Sequence, residues 1–217
     1  MKIVPATAVA LVLCTALAAG QAPDAELRAI WATAEGVGAR SAPFGRYIRF
    51  LLLTATRRNE AADARWSEIA DGVWTIPAAR YKTAVDHVVP LSKAAMAIIA
   101  PSIDGHGFYV LPFDSPNAPL FGPPPIRAFS RHTAALRIAS GTTGWRLHRT
   151  ARSLMSRAGV APDIAERCPG HVIPGVRGVY DRHEYLEEKR RAFEALAGLV
   201  EGITHQAIER GGYELGR

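Results

Sequence analysis

Apolar residues recur with helical spacing along much of the chain. Between residues 24 and 37, Leu27, Ile30, Trp31 and Ala34 form one apolar stripe. A period of about 3.6 residues predicts an amphipathic helix packed on a core, and Asp24 is suited to cap its first turn. By the same reasoning, further helices are expected over residues 44–54, 91–100, 127–139, 149–158, 162–168 and 184–210.

Strand-like patterns are fewer and shorter. Residues 73–77 and 87–91 are rich in Val, Ile, Thr and Trp, and they flank a polar stretch that carries Arg80 and Lys82. Such a pair predicts an antiparallel hairpin with Lys82 near its tip. Residues 108–112 predict a third strand, and the proline-rich residues 113–126 predict a surface connection. The whole pattern predicts a mainly α fold with a small antiparallel β-sheet, an α+β class.

The last predicted helix, residues 184–210, carries the longest apolar stripe in the chain. Its members are Leu186, Phe193, Leu196, Leu199, Val200 and Ile203. A stripe of this kind is typical either of core packing or of contact with a partner helix. Both interpretations stay open from the sequence.

Composition bounds the class of protein. The 217 residues suffice for one sizeable core, and a hydrophobic content of 48% argues against disorder. The excess of Lys and Arg over Asp and Glu is +1 in residues 1–126, +7 in residues 127–193 and −2 in residues 194–217. The basic middle segment fits a polyanion, because each phosphate neutralised by Arg or Lys releases a counterion. A solvated basic face is the alternative.

The N-terminus has a different character. Met1 and Lys2, an apolar run over residues 4–17 and the small residues 18–20 resemble a secretory signal peptide. We therefore expect residues 1–22 to be a signal-like or unstructured segment. A cytoplasmic, nucleoid-associated location is expected from the basic, cysteine-poor remainder, with export as the alternative.

The two cysteines, Cys14 and Cys168, form no CxxC motif and stand at no metal-ligand spacing with a histidine. We expect neither a disulfide framework nor a zinc site.

Two adjacent arginines, Arg57 and Arg58, follow the predicted buried helix of residues 44–54. Burying these charges would cost free energy unless an anionic group pairs with them. Glu60 or Asp63 could be that partner within the chain, and an external anion is the other possibility.

A tyrosine in the basic segment is the candidate nucleophile. Tyr180 follows His171 by nine residues, and a phenol can form a covalent intermediate when nearby groups stabilise the charge on its target. The plainer interpretation is a half-buried tyrosine whose hydroxyl meets the backbone. Lys82 has two interpretations as well, a solvated hairpin lysine or one that reaches into a groove.

Several motifs, in one order, resemble a known family. Leu-Leu-Thr54-Ala-Thr-Arg57-Arg58-Asn-Glu60 resembles Thr-Gly-x-Arg-x-x-Glu, and Trp66-Ser67-Glu68-Ile69 with the hairpin around Lys82 resembles a lysine-bearing hairpin. Pro169-Gly170-His171 followed by Tyr180 resembles Leu-Gly-His and its nucleophile. These are the motifs of tyrosine recombinases of the phage-integrase kind, and the resemblance covers the catalytic domain over residues 24–199.

This resemblance implies site-specific DNA recombination or integration, with double-stranded DNA as partner. Arg57 and a second arginine would bracket the scissile phosphate, and Lys82 would protonate the leaving 5′ oxygen. His148 and His171 would assist, and Tyr180 would form a 3′-phosphotyrosyl link. No cofactor, metal or small-molecule ligand is implied. A homo-oligomer on DNA, joined through the C-terminal helix, is a further implication.

The second arginine is where the chain departs from the family. The family has His-x-x-Arg, often within Trp-x-x-His-Asp-Leu-Arg-Arg-Thr, whereas here Trp145-Arg-Leu-His148 is followed at once by Arg149. Either three residues are lost after His148, or an ungapped register sets Trp145 and His148 at the family's His and Arg positions. On a helix His148 and Arg149 point about 100° apart, while Arg152 lies one turn from His148 and is a possible substitute. Impaired activity is expected.

The N-terminal segment is also too short for the DNA-clamping domain that usually precedes this catalytic domain. We therefore expect a truncated copy, with a catalytic-like domain over residues 23–210 and a tail over residues 211–217. An inactive DNA-binding or oligomerising remnant is the alternative function, and a small exported protein is a third.

Overall fold

The computed structural model describes residues 24–36, 42–100, 117–121, 147–171 and 183–210. Its helices are α1 (Asp24–Gly36), α2 (Ala42–Thr54), α3 (Arg58–Ala62), α4 (Lys93–Ile99), α5 (Leu147–Arg157), α6 (Pro162–Arg167) and α7 (Leu186–Arg210). A 3-10 turn, Trp66–Glu68, leads into strands β1 (Ile69–Ala70), β2 (Val73–Ile76) and β3 (His87–Pro90). The predicted class, mainly α with a small antiparallel sheet, is confirmed.

Helices α1 and α2 form one side of the core. The predicted stripe of α1 is buried, with Leu27, Ile30 and Ala34 each at most 3% exposed. Asp24 at the start of α1 pairs with Arg157 of α5 at 2.7 Å. Helix α2 is apolar on most of its surface and is buried accordingly, since packing rather than helix propensity stabilises such a segment.

Helix α7 closes the other side of the core. It packs against α1, α5, α6 and β3, and Phe193, Leu196, Val200 and Ile203 are buried. The core interpretation of this stripe is therefore confirmed for these four residues. The opposite face of α7 is what remains for any partner helix.

The sheet is small and antiparallel, in the order β1-β2-β3. Strands β2 and β3 form the predicted hairpin, with Trp74 opposite Val89. Trp74, Ile76 and Val89 are fully buried, so one face of the hairpin packs on the core. Strand β1 was not predicted, because two residues are too few to show an alternating pattern.

Helix ends agree with the predictions to within about two residues. Ser92 caps α4 as expected, and its Oγ accepts a hydrogen bond from the N–H of Ala95 at 3.2 Å. Helix α5 begins at Leu147, two residues earlier than predicted, and Leu147 is buried against the core. Its early start places His148 inside the helix.

Three predicted elements lie wholly or largely outside the described residues: the strand of residues 108–112, the connection of residues 113–126 and the helix of residues 127–139. The signal-like residues 1–22 and the tail at residues 211–217 lie outside them too. Among the helices that are described, none combines the length and the apolar character needed to cross a bilayer.

Candidate active site

Arg57 stands in the short turn between α2 and α3, and Glu60 holds it there. Nη1 of Arg57 contacts Oε1 of Glu60 at 2.8 Å, and the backbone N–H of Arg57 donates to Oε2 at 2.9 Å. A glutamate in the first turn that reaches back to the preceding N–H satisfies a donor that the helix leaves free. The expected partner of Arg57 is thus Glu60, and the side chain of Arg57 still keeps 31% of its surface exposed.

Tyr81 connects Arg57 to the Gly-His motif. The guanidinium carbon of Arg57 lies 5.4 Å from the centre of the Tyr81 ring, a cation–π distance. On its other side the ring stacks on His87, with centroids 4.7 Å apart. The Tyr81 hydroxyl donates to the carbonyl of Gly170 at 3.0 Å. Because the ring is wedged between these groups, it fixes one face of the Arg57 side chain.

A basic cleft of about 480 Å³ opens beside Arg57. Its lining includes the hairpin connection with Arg80, Tyr81 and Lys82. Arg80 is bound to Glu68 at 2.5 Å, whereas Lys82 is exposed and has no hydrogen bond or ion pair within the described part of the chain. Lys82 thus lines the cleft from the connection between β2 and β3, and its role stays a prediction.

His148 faces inward from the first turn of α5. Its Nδ1 lies 2.6 Å from the carbonyl oxygen of Ala55, in the turn that precedes Arg57. A carbonyl only accepts, so Nδ1 must carry the proton. Burial lowers the pKa of His148, and the backbone bond to Ala55 opposes that shift. His148 is held with its Nε2 pointing away from Ala55.

His171 is placed by the end of α6. The N–H of Gly170 donates to the carbonyl of Arg167 at 3.1 Å and the N–H of His171 donates to that of Glu166 at 3.0 Å. Gly170 has a φ of +65°. This is a Schellman ending, which requires a left-handed residue one position before the last bonded N–H. The Gly-His motif thus fixes where the His171 side chain begins.

The two histidines meet. Nε2 of His148 lies 3.1 Å from Nε2 of His171, and Nδ1 of His171 lies 2.5 Å from Oε2 of Glu166. The other oxygen of Glu166 binds Arg152 of α5 at 2.8 Å. One carboxylate therefore holds both a candidate histidine and the candidate substitute arginine.

The second arginine is the weak point of the site. Arg149 is exposed, next to half-buried His148, and makes no hydrogen bond or ion pair to any described residue. Arg152 lies one turn from His148, as expected, but its guanidinium is occupied by Glu166 and by the Oγ of Ser156 at 2.7 Å. The ungapped register, in which His148 stands at the family's arginine position, stays a prediction.

The structure brings several of the predicted site residues into one closed circuit of contacts. In order it runs through Arg57, Tyr81, Gly170, His171, His148 and Ala55, and Lys82 opens onto the same cleft. Tyr180 lies outside the described residues. Sequence reasoning missed Tyr81 and Glu166. Tyr81 contacts Gly170 across 89 positions, and Glu166 lies only five residues before His171 but carries no motif that marks it.

Metal chemistry has no visible support in the described ranges. No three or more His, Cys, Asp or Glu side chains there are arranged to hold a metal ion. Cys168 is a free and buried thiol, and burial raises its pKa to about 12. A thiol so far from its reactive thiolate form is structural.

A mainly helical domain in which an arginine and a hairpin lysine line one cleft, with a pair of histidines in contact with each other nearby in the same circuit of contacts, is of the tyrosine recombinase class. The chain belongs to the phage integrase family, whose model matches residues 23–185.

Two similar proteins are prophage integrases. The chain is 38% identical over 167 residues to prophage integrase IntA of Escherichia coli (strain K12), a match that covers 72% of this chain and 38% of that protein. It is 31% identical over 186 residues to prophage integrase IntZ of the same organism, covering 83% of this chain and 45% of that protein. The chain thus spans less than half the length of either relative. No solved structure is significantly similar to it.

Proposed function

We propose that this chain acts on double-stranded DNA as the catalytic domain of a site-specific recombinase, breaking and rejoining a strand through a 3′-phosphotyrosyl link to Tyr180. The observation that carries the proposal is the circuit that joins Arg57 to His148 and His171 beside the cleft containing Lys82. Arg57 and Lys82 come from separate segments and line one cleft, and cationic donors placed in this way are what a phosphate diester would require.

Arg57 would contact the non-bridging oxygens of the scissile phosphate. Glu60 and Tyr81 hold its guanidinium from two sides, so little entropy remains to be lost when the phosphate binds. A preorganised donor of this kind stabilises the extra negative charge of the five-coordinate transition state.

The chemical step needs one bond made and one broken. The phenol oxygen of Tyr180 would attack phosphorus, and the bond from phosphorus to the 5′ oxygen would break. Lys82 would give that oxygen a proton, and the phenol would release its own proton to solvent. The link conserves the phosphodiester energy, so the reverse steps rejoin a strand without a cofactor.

The site is proposed to be slow. Arg149 makes no hydrogen bond or ion pair to a described residue, and Arg152 is bound to Glu166, so neither candidate for the second arginine is held beside Arg57 in the described part of the chain. Loss of one transition-state donor costs a factor of about 100 to 1000 in rate. A second candidate function follows from this loss: a DNA-binding remnant that keeps the basic surface and performs no strand transfer.

The wider organisation is part of the proposal. Residues 23–210 would form the catalytic domain, residues 1–22 a separate leader-like or unstructured segment, and residues 211–217 a tail. Assembly of copies on DNA through α7 would have to use its outer face, because its apolar stripe is buried in the chain's own core.

The test is a DNA duplex nicked near a candidate attachment site, so that the cleaved fragment diffuses away and the covalent product is trapped. The unaltered chain should give a protein–DNA band on a denaturing gel. Tyr180→Phe should abolish it, and Tyr185→Phe, a matched loss of a hydroxyl five residues away, should not. Absence of a band with the unaltered chain, together with salt-sensitive duplex binding, would favour the remnant.

A further inference from the structure

A single line of hydrogen bonds runs through the site from one backbone carbonyl to one arginine. It passes from Ala55 to His148, across the two Nε2 atoms to His171, on to Glu166 and finally to Arg152. Each contact is 3.1 Å or shorter. Glu166 is the only carboxylate in this line.

Counting protons along the line sets its charge. The carbonyl of Ala55 requires a proton on Nδ1 of His148. Two ring nitrogens 3.1 Å apart require one proton between them, because two lone pairs facing each other would repel. The contact between His171 and Glu166 requires a third proton.

Three protons in these positions leave the two rings with one positive charge, provided that Glu166 is a carboxylate. Arg152 pairs with Glu166 at 2.8 Å. Burial opposes ionisation of Glu166, but the hydrogen bonds from His171 and Arg152 together hold the pKa of its carboxyl below the usual value. The third proton therefore resides on Nδ1 of His171.

We propose that Glu166 is a positioning residue that keeps His171 doubly protonated, so that the His148–His171 pair carries one positive charge where the family has its second arginine. His148 is then the neutral member, with a proton on Nδ1 and an acceptor at Nε2. The proposal rests on the proposed function only for the use of this charge in catalysis.

The charged groups around the His148–His171 pair come from three segments. Glu166 of α6 faces His171, and Arg152 of α5 stands behind Glu166. Arg57 and Glu60, at the start of α3, both act on His148, Arg57 lowering its pKa and Glu60 raising it. Since Arg57 and Glu60 are themselves paired, their fields partly cancel, and among the described residues Glu166 is the group that favours a charged ring.

The chemical consequence distinguishes this arrangement from an arginine. A guanidinium stays charged at every pH at which proteins remain folded. An imidazolium, by contrast, can lose its proton near neutral pH. The charge of the pair, unlike that of an arginine, therefore depends on the Glu166 carboxylate that faces it.

The experiment reads proton positions directly, with no DNA present. Two-bond ¹⁵N–¹H correlation spectra of the imidazole rings, recorded on the full chain at neutral pH, should show His171 protonated on both nitrogens and His148 on Nδ1 alone. Glu166→Gln should remove the second proton from His171, and Glu166→Asp should retain it in part. Asp163→Asn, which removes an exposed carboxylate from the same helix, should change neither ring.

A neutral His171 in the unaltered chain would overturn the proposal, as would a His171 equally charged in Glu166→Gln with the fold intact. Because the spectra do not involve strand cleavage, their outcome is separate from that of the nicked-duplex assay. A charged pair without a Tyr180 adduct would uphold this inference and contradict the proposed function.

Discussion

Gly170 packs directly against the phenol of Tyr81. A Cβ built on Gly170 would lie 1.6 Å from the hydroxyl oxygen and 3.0 Å from Cε1 of His87. The same residue has a φ of +65°, which side-chain-bearing residues adopt at a cost. The glycine of the Gly-His motif therefore has two roles: it ends α6, and it leaves room for the Tyr81 hydroxyl to reach the Gly170 carbonyl.

Gly170→Ala should destabilise the chain by about 2 kcal/mol or more, from backbone strain of about 1 kcal/mol and the displacement of Tyr81. Gly159→Ala is the matched control, because Gly159 also has a positive φ of +77° but nothing lies within 4 Å of its Cβ position. Urea unfolding measures both. If both substitutions lowered the free energy of unfolding equally, Tyr81 would be shown to move aside without any loss of stability.

Lys82→Ala should slow strand cleavage by about 100-fold to 10,000-fold if Lys82 protonates the leaving oxygen. A duplex with sulfur in place of that bridging 5′ oxygen should restore the rate, because a thiolate leaves without a proton. Lys93→Ala, which removes another exposed lysine, should leave cleavage unchanged. If the sulfur substrate is cleaved as slowly as the normal one by Lys82→Ala, the lysine has another role.

His87 should make the chain acid-sensitive. It is 6% exposed, and burial holds its pKa at about 4, below its ordinary value of 6.5. The unfolded chain therefore binds a proton at His87 first, so that the free energy of unfolding falls as pH drops from 6.5 towards 4 and is unaffected by His87 above that window. Across this pH window, His87 should lower the free energy of unfolding by a total of ~3 kcal/mol.

The measurement is urea unfolding of the unaltered chain and of His87→Gln at pH 7 and at pH 4.5. The substitution should flatten the part of the pH dependence that belongs to His87. A pH dependence identical in the two proteins would mean that His87 is not the group responsible.

Local patterns were enough for the fold. The α1 stripe, the β2–β3 hairpin and the Ser92 cap all follow from spacing within one element, and each is where the pattern predicts it. What the local patterns missed was short: the start of α5, the five-residue helix α3, the 3-10 turn and the two-residue strand β1.

Only part of the candidate site could be predicted from the sequence. Motif resemblance identified Arg57, His148 and His171, but some of the groups that hold them come from distant segments. The Tyr81 hydroxyl reaches Gly170 across 89 positions, and His148 reaches Ala55 across 93. No short-range pattern encodes such pairs, and Glu166 looks like an ordinary surface residue until α6 brings it to His171.

The most direct test of the account compares Arg57→Ala with Arg58→Ala in single-turnover cleavage of the nicked duplex. Both arginines line the cleft, but only Arg57 belongs to the circuit with Tyr81 and the histidines. Arg57→Ala should reduce the rate at saturating protein by about 100-fold to 1000-fold, and Arg58→Ala should weaken binding while leaving that rate nearly unchanged. Equal loss of rate from both substitutions, or a normal rate in Arg57→Ala, would contradict the assignment of this site.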